Sequence, residues 1–210
     1  MQRIISLISS YTRLYFSGLL FRMRPTEQVV DSLTLADLQK LARFDGSLPY
    51  HDKRVRALLW EVKYYAAGKS VAVAGEYLSE LLLAEASDCV GTPFLMPMPM
   101  HPKRRRERGH NQTEVLCEAA LKTIFSEGFL YAPNILRRTR HTKPQQGLER
   151  HDRLMNLKNS MEVSDPAAVK DRVCIVVDDV STTGASFAEA KRALRAAGAR
   201  EVRTVALAQS

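Results

Sequence analysis

One short segment, from Asp178 to Ser186, holds most of the residues able to do chemistry, and it directly follows an apolar run. Asp178 and Asp179 would repel a phosphate, so they are expected to face sugar hydroxyls, a hydrated magnesium ion, or both. The positions after them suit a phosphate, because glycine lets the backbone approach closely and the first amides of a helix are unpaired; they are Ser181, Thr182, Thr183, Gly184 and Ser186. Carboxylates followed by such a cradle predict a site for a ribose 5-phosphate.

Helix capping is the alternative interpretation of this segment, since Asp, Ser and Thr are common at helix starts. One capping residue explains one position, whereas seven polar or glycine residues lie between Asp178 and Ser186. The lysine-containing phosphate loop and the dinucleotide-binding glycine pattern are both absent from the sequence. The segment therefore favours a phosphate monoester site of a different type.

The elements around this segment predict an α/β fold. Residues 173–177 form an unbroken apolar run, as in a parallel strand buried on both faces. A helix follows, with apolar residues at helical spacing from Phe187 to Ala197, and then a second strand near a sheet edge, residues 202–207. We also expect helices over 55–65, 71–86 and 111–125, a strand over 94–98, a basic loop over 102–109 and a long polar loop over 137–159. This order predicts a mostly parallel sheet flanked by helices.

Composition limits the class of protein. With 210 residues, 45% of them hydrophobic and 26% charged, the chain can form one compact core but neither two large domains nor a disordered chain. We expect an N-terminal helical or irregular extension over residues 1–43 and a domain over residues 44–210. Cys89, Cys117 and Cys174 are too few and too widely spaced for a cysteine zinc site, and sparse thiols favour a reducing, cytoplasmic compartment.

Residues 1–24 are rich in apolar side chains but contain no run long enough for a transmembrane helix. Their spacing predicts a helix packed on the domain, with a helix lying on a membrane surface as the alternative.

Positive charge is concentrated in the middle of the chain. The net charge is +8, and residues 101–160 contain 13 basic and 6 acidic residues. This stretch predicts an anionic partner, either a phosphorylated small molecule or a nucleic acid, with a solvated surface as the alternative. Its few aromatic residues, Phe125, Phe129 and Tyr131, are not interleaved with the arginines, so nucleic-acid binding through it should be electrostatic and dependent on salt.

The sequence VCIVVDDVSTTGAS (173–186) resembles the phosphoribosyl pyrophosphate (PRPP) signature of type I phosphoribosyltransferases. Three further segments resemble the ComF/GntX family, whose members are linked to DNA uptake and use: WEVKYYAAGK (60–69), FLMPMPMHPKRRRERGHNQ (94–112) and LRRTRHTKPQQGLERHDRLMNL (136–157). The resemblance covers about residues 44–208. Members of this family usually begin with a cysteine-rich zinc module, but this sequence has no cysteine before Cys89.

The resemblance implies a role for each part of the site. Asp178 and Asp179 would hold the ribose hydroxyls and magnesium, and the residues from Ser181 to Ser186 would bind the 5-phosphate. The pyrophosphate side corresponds to Arg104, Arg105, Arg106 and Arg108. A flexible loop closing over the site corresponds to Arg137, Arg138, Arg140, Lys143, Arg150 and Arg153.

The implied reaction is a magnesium-dependent displacement of pyrophosphate from ribose C1 by a nitrogen nucleophile. Thr182 stands where purine-salvage relatives carry an acidic residue, which argues against a 6-oxopurine acceptor. No residue identifies itself as a general base, although His110, His141 and His151 have suitable intrinsic pKa values. The alternative to an enzyme is a non-catalytic protein of this family that binds PRPP or a nucleotide, or that binds single-stranded DNA through residues 101–160.

Overall fold

In the computed structural model, which describes residues 24–66, 68–124, 128–140 and 157–210, five parallel strands form the central sheet. They are β1 (Leu48–Pro49), β2 (Phe94–Pro97), β3 (Leu130–Tyr131), β6 (Val173–Ser181) and β7 (Glu201–Gln209), in the spatial order β1-β7-β6-β2-β3. A separate antiparallel pair consists of β4 (Leu136–Arg138) and β5 (Met161–Val163). The predicted α/β fold with a mostly parallel sheet is confirmed.

Helices cover the sheet. In chain order they are α1 (Pro25–Asp31), α2 (Leu35–Leu41), α3 (Lys53–Tyr65), α4 (Gly68–Ala86), α5 (Pro102–Arg108), α6 (Gln112–Thr123), α7 (Pro166–Val169) and α8 (Ala185–Ala196). None of the helices in these described ranges is long and apolar enough to cross a membrane. The helix predicted over residues 1–24 lies outside the described residues.

Strand β6 is the centre of the fold because its side chains are buried on both faces. Ile175 and Val177 pack into one hydrophobic core, and Cys174 and Val176 pack into the other. Helices α1 to α4 and α6 contribute to the first core, which is the larger, and α8 contributes to the second. Strand β7 lies beside β6 and next to the edge, as predicted, because two-residue β1 pairs only with Ala208 and Gln209.

Two predicted loops are regular structure. Residues 178–181, expected to be a loop, continue β6 and pair with β7 as far as Gln209. Residues 102–108, expected to be a basic loop, form α5, whose ends are both capped. His101 Nδ1 accepts a hydrogen bond from Lys103 N at 3.2 Å, Pro102 occupies the first turn, and Gly109 ends the helix at φ 91°. These caps form a short helix without an apolar face.

Candidate functional site

The two adjacent carboxylates lie at the carboxyl end of β6. Asp179 N donates to Asp178 Oδ1 at 3.0 Å, and Val180 N donates to Asp179 Oδ1 at 2.9 Å, so the backbone restrains both side chains. Burial and the neighbouring Asp179 raise the pKa of Asp178 well above its usual range, and Arg138 acts in the opposite direction. Two close carboxylates with this electrostatic cost favour a cation or hydrogen-bond donors as neighbours.

The segment after the carboxylates has the features of an anion cradle. Gly184 adopts φ 73° at the N-cap of α8, and α8 begins there without a side-chain cap. A Cβ built at Gly184 meets no atom within 4 Å, so the space in front of this turn is open. Thr183 Oγ1 is buried and has no hydrogen-bond partner among the described residues. The unpaired hydroxyl and the start of a twelve-residue helix fit a bound phosphate.

Helix α5 is positioned at this end of the sheet by the exit of β2. Pro97 of β2 is paired with Val177, and Met98 N donates to Val177 O at 2.7 Å. Buried Asn111 links the segment after α5 to the same strand exit, because its Nδ2 donates to Met98 O at 3.1 Å. Its Oδ1 accepts from Thr113 N at 3.1 Å and caps α6. The basic segment and the carboxylates therefore lie at the ends of neighbouring strands.

A chain of hydrogen bonds connects α5 to the carboxylates. Arg108 Nη1 donates to Gln112 Oε1 at 2.6 Å, and Gln112 Nε2 donates to Asp179 Oδ2 at 3.1 Å. Burial and Arg104 lower the pKa of Arg108, whereas Asp179 and Tyr64 act to raise it. Arg104, Arg105 and Arg106 are exposed, and Arg105 forms an ion pair with Glu114 at 2.6 Å.

Gln112 was not among the predicted site residues. Its contacts reach Asp179, 67 positions away in the sequence, so no local pattern around Gln112 indicates them. The sequence offers one indication of its role, since Gln112 lies in the first turn of the helix that follows the basic segment.

Three of the six residues predicted for the flexible loop lie in the described part of the chain. Arg137 and Arg138 belong to β4, so they are in a strand and not in a loop, and Arg140 Nη2 donates to Lys158 O at 2.9 Å. Burial lowers the pKa of Arg138, and Asp178 acts in the opposite direction. This mutual effect indicates that Arg138 lies near the carboxylate pair. Lys143, Arg150 and Arg153 lie outside the described residues, as do His141 and His151.

Magnesium fits the donor set at the end of β6. Within the described ranges, no cluster of three or more His, Cys, Asp or Glu side chains could hold a metal alone. Asp178 and Asp179 supply two carboxylates, and Mg²⁺ is commonly bound by one or two carboxylates together with water and substrate phosphates. Such an ion would be shared between the protein and a phosphorylated ligand.

Fold and site together define a phosphoribosyltransferase-like protein. Residues 67–210 match the phosphoribosyl transferase domain family, and the chain belongs to that family. Competence protein F of Haemophilus influenzae is 35% identical over 118 residues, which cover 55% of this chain and 50% of that protein. DNA utilization protein YhgH of Escherichia coli strain K12 is 32% identical over 139 residues, which cover 63% of this chain and 59% of that protein. These relatives confirm the resemblance to the ComF/GntX family.

This chain thus spans between one half and three fifths of the length of these two curated relatives. Among solved structures, phosphoribosylpyrophosphate synthetase from Mycobacterium smegmatis is similar over 65% of this chain and 33% of that chain, with 20% identity and a TM-score of 0.37.

Proposed function

We propose that the chain binds PRPP, or another ribose 5-phosphate, together with magnesium at the end of β6, and transfers the phosphoribosyl group to a nitrogen acceptor. The observation that carries this proposal is the arrangement around Gly184. Asp178 and Asp179 lie near the carboxyl end of β6, and a buried hydroxyl without a hydrogen-bond partner among the described residues, Thr183 Oγ1, lies beside an open helix start. Sugar hydroxyls fit the carboxylates, and a phosphate fits the helix start.

Each residue has a role in this reaction. Asp178 and Asp179 hold the ribose hydroxyls, and Thr183 with the first amides of α8 anchors the 5-phosphate. Arg108, oriented by Gln112, faces the pyrophosphate and stabilises the charge that develops on it as the bond to ribose C1 breaks. A bond forms from C1 to the acceptor nitrogen, which loses a proton. Bound magnesium would supply further neutralisation of the leaving diphosphate.

Calorimetric titration of PRPP into the protein, with and without magnesium, tests this proposal. We expect saturable binding that magnesium strengthens, and its loss in the double variant Asp178→Asn with Asp179→Asn. A matched control is Asp165→Asn with Asp171→Asn, which removes two exposed carboxylates elsewhere in the chain. Unchanged affinity in the Asp178/Asp179 variant, with the fold intact by circular dichroism, would refute the site.

A second candidate function is nucleic-acid binding in DNA uptake or use. It is supported by the names of the two curated relatives and by the exposed arginines of α5. For this function we expect single-stranded DNA to bind residues 101–160 electrostatically. Reversing the charge of Arg104 and Arg106 to glutamate should weaken a gel shift at low salt, whereas an unaltered shift would count against α5 as a contact.

A further inference from the structure

Helix α3 exposes a row of cationic and aromatic side chains. Lys53, Arg56, Trp60 and Tyr64 recur at intervals of three or four residues, so they lie along one face of the helix. All four are exposed, with 39% of Trp60 and 52% of Tyr64 accessible to solvent. At ~1.5 Å per residue the row is about 16 Å long. We call these four residues the α3 row.

Folding does not explain the outward position of these aromatic rings. The opposite face of α3 already supplies the core with Val55, Leu58, Leu59 and Val62. Trp60 is the single tryptophan of the chain, and large aromatic side chains are usually buried. A ring that the core does not use, on a face with cations, is typical of a binding surface.

Neighbouring groups extend this surface. The ring of Trp60 lies 5.0 Å from that of Tyr64 and 5.5 Å from that of Tyr65, measured between centroids. Lys63 Nζ lies 5.0 Å from the centroid of the Tyr64 ring. A groove of about 320 Å³ between α1 and α3 is lined by Pro25, Val29, Arg56 and Trp60, among others. The surface therefore offers ring faces, a cleft beside Trp60, and cations within reach of both.

The charge of this surface favours an anionic partner. The one carboxylate of α3, Glu61, is buried and bound by Arg24, whose Nη2 lies 2.8 Å from Glu61 Oε2. No carboxylate therefore belongs to the α3 row. Tyr64 also acts to raise the pKa of Arg108, the last residue of the basic helix α5.

We infer that the α3 row binds a single-stranded nucleic acid, with bases stacking on Trp60 and Tyr64 and phosphates contacting Lys53, Arg56 and Lys63. Unpaired bases expose the faces that stacking requires, whereas a duplex hides them. In the sequence of residues 101–160 the aromatic residues are not interleaved with the arginines, whereas α3 carries Trp60 and Tyr64 beside cationic side chains. This inference deepens the second candidate function, but it depends neither on PRPP binding nor on the arginines of α5.

Tryptophan fluorescence of the full chain tests the inference, because Trp60 is the only reporter. Titration with an oligothymidylate of about 12 nucleotides should quench the emission saturably, whereas a duplex of equal length should not. By anisotropy of a labelled oligothymidylate, Trp60→Ala and Tyr64→Ala should each weaken binding by about tenfold, and Trp60→Phe should retain most of the affinity. Phe44→Ala is the matched control, since Phe44 is a fully exposed ring outside the α3 row.

The outcomes separate this inference from the proposals above. Suppose that Trp60→Ala and Tyr64→Ala leave oligothymidylate binding unchanged and that charge reversal of Arg104 and Arg106 weakens it. This result would refute the α3 row as the binding surface and would support DNA binding by α5. If oligothymidylate does not bind the protein at low salt, DNA binding by the α3 row and DNA binding by α5 are both refuted. PRPP titration into Trp60→Ala should match the unaltered protein in every case, because the ring contacts of Trp60 are with Tyr64 and Tyr65 of its own helix.

Discussion

The carboxylates of Asp178 and Asp179 suit a ligand, but their burial and mutual repulsion are electrostatically unfavourable in the protein alone. The backbone amides of Asp179 and Val180 donate to the carboxylates of Asp178 and Asp179, respectively, and burial with repulsion from Asp179 raises the pKa of Asp178. Arg138 and Gln112 each offset part of that cost, the first by its charge and the second by a hydrogen bond to Asp179. Sugar hydroxyls, which donate hydrogen bonds, and a bound cation would offset more.

Gly184 provides the first prediction at the scale of a residue. Its φ of 73° is unfavourable for a residue with a Cβ, so Gly184→Ala should cost about 1–2 kcal/mol of unfolding free energy. The added methyl group also projects into the open space in front of α8, where the phosphate is proposed to bind. We therefore expect the affinity for PRPP to fall at least about tenfold, a change of ~1.4 kcal/mol measurable by calorimetry.

Gly91→Ala is the matched control for this substitution. Gly91 has φ 81°, and its Cβ also meets no atom within 4 Å, but it precedes β2 at the other end of the sheet. It should show a similar loss of stability with unchanged PRPP affinity. Equal PRPP affinities for the two variants would contradict a phosphate at Gly184.

Gln112 provides a second prediction, because it joins Arg108 to Asp179. Gln112→Leu removes the acceptor for Arg108 and the donor to Asp179, so both charged groups lose their orientation. The affinity for PRPP should fall about fivefold to tenfold, as expected for one or two hydrogen bonds to charged groups. Gln39→Leu, which breaks an exposed contact with Glu80, should leave binding as it is. A Gln112→Leu variant that binds PRPP normally would remove Gln112 from the site.

The contrast between these residues indicates what the sequence could predict of the site. Asp178 to Ser186 is a continuous segment after an apolar run, so its chemistry is visible from residue types alone. Gln112 forms a hydrogen bond with Asp179 from 67 positions away, and the charge of Arg138 acts on Asp178 from a distant part of the sequence, which no local pattern encodes.

Helix α5 shows a comparable limit at the scale of an element. Its sequence, PKRRRER, has no apolar periodicity, so the pattern predicts a loop. The capping residues His101 and Gly109 and the initial Pro102 decide the outcome, since they satisfy the ends of a short helix that packing does not stabilise. The longer elements α3, α4, α6 and α8 were predictable because each buries an apolar face. Strands β1 and β3, of two residues each, are too short to show alternation.

The contact between α1 and α3 provides a third prediction. Arg24 and Thr26 Oγ1 both donate hydrogen bonds to the buried carboxylate of Glu61. Burial alone would raise the pKa of Glu61, but these two partners lower it below the usual range. Replacing this carboxylate in Glu61→Gln should cost about 1–3 kcal/mol of unfolding free energy at neutral pH.

The pH dependence follows from the lowered pKa of Glu61. A group with a lowered pKa in the folded state stabilises the protein above its unfolded pKa, and this contribution disappears as the pH falls through the folded value. Urea unfolding should therefore show the deficit of Glu61→Gln at pH 7 and its disappearance below pH ~4. Glu80→Gln, on an exposed surface, should change stability by less than about 0.5 kcal/mol at either pH. If the loss of unfolding free energy in Glu61→Gln were the same at pH 7 and below pH ~4, the ion pair between Glu61 and Arg24 would not be its cause.

Across the whole molecule, the two hydrophobic cores share the strands β2, β6 and β7, and β6 lies between the other two. Successive residues of β6 point alternately into the larger core and the smaller core, and β6 pairs with β7 over most of its length. The apolar run of residues 173–177 predicted this burial on both faces. The predicted boundary between an N-terminal extension and a domain at residues 43 and 44 stays a prediction, although Val30 and Leu38 of the described part, residues 24–43, contribute to the larger core.

The shared strands lead to the last prediction, that both cores unfold together. Leu58 lies in the larger core and Leu194 in the smaller, and both are fully buried, so Leu58→Ala and Leu194→Ala should each cost about 2–5 kcal/mol. In either variant, urea transitions followed by Trp60 fluorescence and by circular dichroism should coincide, because β6 cannot leave one core without exposing the other. If the circular dichroism of Leu194→Ala fell before the fluorescence of Trp60 changed, the smaller core would be unfolding independently, and β6 would not couple the two faces of the sheet.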